Sequence, residues 1–314
     1  MARFVGQRLV ESIPVLILSS LLVFGILHLV PGDPVDAMMG AASFGISTPE
    51  SQAKLVAQIR EQLGLDDPLP IQYLHWLGNA LRLDLGESFI RHQPVATLIA
   101  QRLPATLELA GAALVLSVVL GMSMGIIAAL KRHTAIDAAV MIVSLAGVSI
   151  PSFAFAMLLI LVFSVFLGML PATGSGSFDR LILPAVVLGY EGTALIARLT
   201  RASLLEVLGR EYITTARSKG LPRRIVVLRH ALRNALIPVV TIVGLQVGRL
   251  LAGSIIVETV FARQGVGQLA IDAILQKDYP LVQGIILLTA SAYVVANLLV
   301  DISYGFINPR IRTA

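Results

Sequence analysis

The chain has 314 residues, of which 56% are apolar and 14% charged, with a net charge of +5 and a mean hydropathy of +0.84. Soluble domains carry about 25% charged residues, so an ordinary water-soluble fold is excluded and an all-α polytopic membrane protein is expected. The absence of cysteine excludes disulfides and Cys-ligated metals, and the His residues at 28, 75, 92, 133 and 230 lack paired ligand spacing.

A spanning helix needs roughly 20 mainly apolar residues, and six stretches qualify: Leu9–Val30, Leu107–Leu130, Ala138–Leu167, Ile182–Leu199, Leu236–Ile256 and Leu281–Val300. The first could instead be read as a signal peptide, with Arg3 and Arg8 ahead of an apolar core and small residues near Ala41. Its length, and the Pro31-Gly-Asp-Pro34 stop before any small-residue site, favour an anchored helix. His28 near its end reads as interfacial rather than as a metal ligand.

The segment from Pro31 to Pro104 is too long for a simple connection and predicts a small helical subdomain. Thr48-Pro49-Glu50 is a helix start, with Leu55, Ile59 and Leu63 on one face and Gly64 as a stop. A second helix starts near Pro70 and carries Ile71, Leu74 and Leu81. Trp76, the only Trp, and Tyr73 suit either a membrane interface or the packing of this subdomain.

Gly121/Gly125 in the second span and Gly244/Gly248 in the fifth have GxxxG spacing, which favours close helix packing inside the chain over a subunit contact. The third span is long enough to tilt, or to break at Pro151. The fourth is short and contains Glu191.

Glu211–Pro238 is rich in Arg and Lys although spans flank it. Glu211–Lys219 predicts a short helix, Gly220 a left-handed turn, and Pro222 the start of a second helix. Ile225, Leu228, Leu232 and Leu236 would form its apolar stripe, with Arg224, Arg229 and Arg233 mainly off it. Such a basic pair could rest on anionic headgroups or only satisfy the positive-inside bias. The Gly-Leu-Pro break points further, to a compact protrusion shaped for a partner's groove.

Arg249 lies within the fifth span, with Gln246 one turn away. Intramembrane charge usually faces the bundle interior or a wet cavity. Arg249 therefore reads equally as a translocation-path residue or as a structural partner of Glu191. Glu258, nine residues on, is about opposite Arg249 on the helix and reads as a structural or docking residue. The segment Phe261–Pro280 predicts a short helix around Leu269–Leu275 before the last span.

With the N-terminus in the cytoplasm, the inside segments hold 15 of the 24 Lys and Arg residues. Six spans then put both termini and the Glu211–Pro238 stretch in the cytoplasm. The positive net charge is a topology signal and does not argue for nucleic acid; membrane lipid is the expected surrounding.

Glu211-Tyr-Ile-Thr-Thr-Ala-Arg-Ser-Lys-Gly-Leu-Pro222, continuing to Arg229-His-Ala-Leu-Arg-Asn-Ala-Leu-Ile-Pro238, resembles the peptide-importer version of the EAA loop of ABC importer permeases. Tyr212 stands where other branches have Ala. Pro31-Gly-Asp-Pro34, Leu63-Gly-Leu-Asp-Asp-Pro68, Leu85-Gly-Glu-Ser88, Leu170-Pro-Ala-Thr-Gly174, Val257-Glu-Thr-Val-Phe261, Asp278-Tyr-Pro280, Asn297-Leu-Leu-Val-Asp301 and Asn308-Pro-Arg-Ile-Arg312 extend the resemblance over nearly the whole chain. Their order is similar to the first permease of the dipeptide, oligopeptide, glutathione and nickel importer group. Phe153-Ala-Phe-Ala156 departs from it, where the family often has Phe-Trp-Leu-Gly.

The resemblance implies six transmembrane helices. Residues 1–30 would be the N-terminus and first span, 31–104 an extracytoplasmic subdomain, and 105–314 a permease core with its coupling loop at 202–235. Glu211, Thr215, Ala216, Lys219, Gly220 and Leu221 would couple to an ATPase. Arg249, Gln246 and Glu191 are pathway candidates, and Glu258 and Asp278 gate or docking candidates at the outer side. Implied partners are a second homologous permease, two ABC ATPase subunits and an extracytoplasmic binding protein, in a bacterial inner membrane. The Walker pattern is missing, since Lys219-Gly220 has the order reversed. No nucleophile set or paired carboxylates suggest catalysis, so the chain reads as a non-enzyme that binds no cofactor, with ATP and Mg on the ATPases. Peptide is the expected substrate, with glutathione or a nickel chelate as alternatives. An ion-driven secondary transporter is the rival from another class; it would favour buried mid-membrane acids and an inverted repeat, and only Glu191 fits.

Overall fold

The computed structural model describes residues 2–29 and 66–307, with side chains described for 10–25 and 66–298. The helix expected from Thr48, the Pro31–Pro34 motif and the Asn308–Arg312 motif lie outside the described residues, as does the side chain of His28. The described helices, in chain order, are α1 (Ala2–Leu29), α2 (Leu69–Leu81), α3 (Val95–Leu130), α4 (Ala135–Ser149), α5 (Ser152–Leu159), α6 (Asp179–Leu208), α7 (Glu211–Ser218), α8 (Arg223–Val260), α9 (Val266–Leu275) and α10 (Tyr279–Ile307). Helix α5 runs on into a π-helical stretch, Ile160–Phe166, and α8 contains another, Val226–Ala231. Among the described residues the only β feature is an isolated bridge between Glu87 and Pro94.

Helices α3, α6 and α8 and the Tyr279–Leu298 part of α10 are long and apolar enough to cross a membrane. The third expected span takes the broken alternative: α4 and α5 meet at 110° across Ile150–Pro151, the geometry of a broken span or of a re-entrant loop. Proline supplies no N–H and pushes its predecessor out of the helical region. The first expected span falls on α1, whose described apolar part is Val10–Gly25.

Helices α3 and α6 form the central pair, and small residues let them touch. A Cβ on Gly125 would stand 2.5 Å from the carbonyl oxygen of Ala197, and one on Gly121 would stand 2.8 Å from Cβ of Ile196. Across the same seam the Ser117 hydroxyl lies 2.7 Å from the carbonyl oxygens of both Ala113 and Gly189. The Gly121/Gly125 spacing thus serves packing within the chain. In the other pair, Gly248 faces the ring of Tyr293 on α10.

Three apolar clusters stack along the bundle. At the arginine-rich end, Ala129, Leu204, Ile213, Ala216, Val226, Ala231 and Ala235 join α3, α6, α7 and α8. The middle cluster holds Leu109, Ala113, Leu159, Val187, Leu250 and Val257. At the opposite end, Val95, Ile99, Leu269, Leu281 and Ile285 join the start of α3 to α9 and α10.

Helix α3 starts at Val95 and passes through Pro104, so the expected boundary at 104/105 falls inside one helix. Helix α2 packs on α1. Tyr73 meets Phe24 edge-on at 5.5 Å, the Tyr73 hydroxyl is 2.8 Å from Ser20 Oγ, and Trp76 lies 6.1 Å from Phe24. Trp76 thus packs against the helix of the first expected span.

Candidate coupling and translocation sites

The Glu211–Pro238 segment begins as its sequence suggests. Arg210 is extended, Glu211 lies in the first turn of α7 and Arg217 in the last, each matched to the helix dipole. Ile213 and Ala216 face inward and anchor α7 in the cluster at that end. Gly220 follows with φ +77° and open space around it, and Pro222 precedes α8. Of the six expected coupling residues, Glu211, Thr215, Lys219 and Gly220 are exposed, Leu221 is half-buried and Ala216 is an anchor. The Thr215 hydroxyl donates back to the Glu211 carbonyl at 3.1 Å.

Beyond Pro222 the structure differs from the sequence reading. The expected second helix is continuous with the fifth span, and the two make one helix from Arg223 to Val260. The buried stripe is also different. Ile225 and Leu228 are 41% and 51% exposed, whereas Val226, Val227, Ala231 and Ala235 are buried. The π-helical stretch explains the shift: Val226 and Ala231 are five apart, the spacing of a π turn, before the four-residue rhythm resumes at Ala235 and Val239. Arg224, Arg229 and Arg233 are exposed as expected. The amide of Asn234 donates to the Tyr212 hydroxyl at 2.8 Å and pins α7 against α8.

Arg249, Glu191 and Gln246 do come together. Arg249 Nη1 lies 3.9 Å from Glu191 Oε1, and the three residues line one cleft of ≈80 Å³ between α6 and α8. Gln246 is buried against Gly192.

Glu258 and Asp278 are fully buried. The Glu258 carboxylate accepts from the Thr106 hydroxyl at 2.7 Å and from the backbone N–H of Gly267 and Gln268 at 2.8 and 3.2 Å. It thereby closes the N-terminus of α9, where unpaired N–H groups need acceptors. Asp278 accepts from the Ser88 hydroxyl and from the Phe89 N–H at 3.2 Å, tying the segment after α2 to the α9–α10 turn. Both carboxylates thus hold the chain together internally and present no free face.

Among the ion pairs that the sequence does not reveal, two have a buried member. Arg263 is fully buried, pairs with Glu108 and donates from Nε to the Ala105 carbonyl at 3.3 Å. Arg201 on α6 grips Asp137 at 2.5 and 2.7 Å. Only the fold brings either pair together, and neither has local spacing that sequence could reveal. Among the described residues no group of His, Asp and Glu could hold a metal ion.

Residues 121–313 match the family model "Binding-protein-dependent transport system inner membrane component", and residues 1–110 match the model of its N-terminal part. The chain is 46% identical over 312 residues to the glutathione transport system permease protein GsiC of Escherichia coli (strain K12), covering 99% of each chain. Identity to the protein of that name in Shigella dysenteriae serotype 1 is also 46% over the same length, with 99% of each chain covered. Among solved structures it resembles an inward-facing MetNI methionine ABC transporter, with a TM-score of 0.55 and 19% identity over 67% of this chain and 96% of that one. An amino acid ABC transporter with histidines gives a TM-score of 0.52 and 19% identity over 68% and 94%.

Proposed function

The chain belongs to the family of binding-protein-dependent transport system inner membrane components, a permease of the ABC importer type, and from that premise we propose how its parts divide the work. It forms one half of a translocation path, with a second homologous permease as the other half. Two ABC ATPase subunits, which carry the ATP and Mg, bind at the arginine-rich end, and an extracytoplasmic binding protein delivers substrate at the opposite end. Both termini lie in the cytoplasm under the positive-inside bias. The substrate is a short peptide, with glutathione first in line because full-length relatives carry that name.

The observation that carries this reading is the protrusion at Glu211–Pro222. Its inner face is locked by Ile213 and Ala216, and Glu211, Thr215 and Lys219 are exposed ahead of a left-handed Gly220. A helix fixed from below and bare above suits a partner's groove. When ATP closes the ATPase pair, the protrusion moves as a rigid lever, and the spans above it exchange outward for inward access. Such a change needs an element with two states that both ATP and substrate bias. Arg249, Gln246 and Glu191 line the path.

The test is Gly220→Val in the reconstituted transporter. Space is open around Gly220, so the substitution acts through the backbone, costing roughly 1–2 kcal/mol in the left-handed conformation. The expected outcome is an assembled complex that hydrolyses ATP without transport, or loses its ATPase. Normal uptake by normally assembled Gly220→Val complexes would refute the assigned role.

A further inference from the structure

Arg249 and Glu191 differ from the Arg201–Asp137 ion pair. Arg201 holds both oxygens of Asp137 at 2.5 and 2.7 Å, and the two side chains are 24% and 8% exposed. Arg249 reaches Glu191 with one nitrogen at 3.9 Å, and those side chains are 66% and 61% exposed. This contact is loose, single and open on one side.

The cleft beside it has a second unusual wall. Ser152 and Tyr190 line it, at the place where α4 and α5 break across Ile150–Pro151. The Tyr190 hydroxyl donates to the carbonyl of Ile150. Non-helical backbone at membrane depth persists where it is buried in protein or lines a water-filled cavity. Ionisable residues in spans face such cavities, and discontinuous helices border the substrate sites of many transporters. Gln246 adds a buried amide to the lining.

We propose that this cleft binds a zwitterionic end of the substrate, where an ammonium and a carboxylate sit on one carbon as at the γ-glutamyl end of glutathione, with the carboxylate on Arg249 and the ammonium on Glu191. The inference rests on the permease reading above and deepens it by naming the feature read inside the membrane, a zwitterion. In the empty cleft the two residues neutralise each other. An entering zwitterion replaces each partner with an equivalent charge, so no charge is left bare in a site where an unpaired one is costly. A solute lacking either end group leaves one residue uncompensated and is disfavoured. At ≈80 Å³ the cleft is well below the roughly 300–1,000 Å³ of sites that enclose a whole small ligand. It therefore grips an end of the peptide and reads little of the side chains.

The experiment measures uptake of labelled glutathione by proteoliposomes that hold the complete transporter and its binding protein. Wild type is compared with E191Q, R249Q and the double variant E191Q/R249Q. Each single variant is expected to raise the half-saturating concentration about tenfold or more, the effect of losing a hydrogen bond to a charged group. Assembly of the complex stays at the wild-type level. The double variant does not recover. Uptake unchanged in the single variants overturns the proposal while leaving the permease reading intact. So does recovery in the double variant, which marks a structural pair. A wild-type complex that assembles but takes up no glutathione removes the substrate reading and the proposal with it.

Discussion

Replacing Thr106 with Val keeps the shape of the side chain and removes one hydroxyl. That hydroxyl donates to Glu258 at 2.7 Å and accepts from the Val266 N–H at 2.8 Å, and all three residues are buried. T106V leaves the Val266 N–H without an acceptor and Glu258 with two donors, the N–H groups of Gly267 and Gln268. Leaving the buried Val266 N–H unsatisfied costs about 1–3 kcal/mol and the lost hydrogen bond to Glu258 adds about 1 kcal/mol, about 2–4 kcal/mol together. At roughly 2–4 °C per kcal/mol for chains of a few hundred residues, the transition falls by roughly 5–15 °C. The assay is thermal unfolding of the detergent-solubilised transporter, read by loss of the monodisperse peak, with limited proteolysis of the 261–280 segment in parallel. T106S keeps both hydrogen bonds and loses one methyl, about 0.8 kcal/mol, so it separates packing from hydrogen bonding. If T106V melts with wild type and its 261–280 segment is cut no faster, Glu258 does not organise this end of the molecule.

Gly125→Val places side-chain atoms against the Ala197 carbonyl and Thr200. It is expected to cost about 1–3 kcal/mol or more by overpacking, seen as reduced yield and a lower melting temperature. Arg201→Lys cannot reproduce the two-pronged grip on Asp137. A loss of about 1.5–3 kcal/mol is expected, and a melting temperature equal to wild type would count against a structural role. Gly192→Ala drives a methyl into the space of Gln246; its expected signature is altered glutathione uptake from a complex of normal assembly.

Local chemistry was legible and non-local chemistry was not. The short helix from Glu211, the turn at Gly220 and the helix near Pro70 are each set by residues within one or two turns and appear where the sequence puts them, and of tilt or break at Pro151 the chain takes the break. The apolar stripe after Pro222 was misread because a 3.6-residue period was imposed on a stretch with a π turn. Nothing in a run of Ile, Val and Leu announces that change; Ala231 and Ala235, small enough to pack closely, were its only trace. Glu258 reads in sequence as a structural or docking residue, and the partner that makes it structural, Thr106, lies 152 residues earlier. The Arg249–Glu191–Gln246 cluster was partly visible because charge within a span is rare enough to single out each residue.

Helix α8 joins these regions in one covalent piece. Its foot carries Arg224, Arg229 and Arg233 at the arginine-rich end, its middle carries Gln246 and Arg249, and its far end carries Glu258. At 1.5 Å per residue, the 38 residues from Arg223 to Val260 span about 57 Å. In the proposed function, a push on α7 reaches this foot directly, because Asn234 and the Ile213–Ala231 cluster bind α7 to it. The far end is held by the buried carboxylate. A rod driven at one end and pinned at the other swings most near its foot and least at Glu258, so its middle moves past α6 and changes the Arg249–Glu191 separation. Spin labels at Leu228 and at Lys131 on the neighbouring turn should therefore show a larger distance change on ATP binding than labels at Ile256 and Leu107. Equal changes at both ends would mean that α8 translates as a whole, and the pinned-lever account would fail.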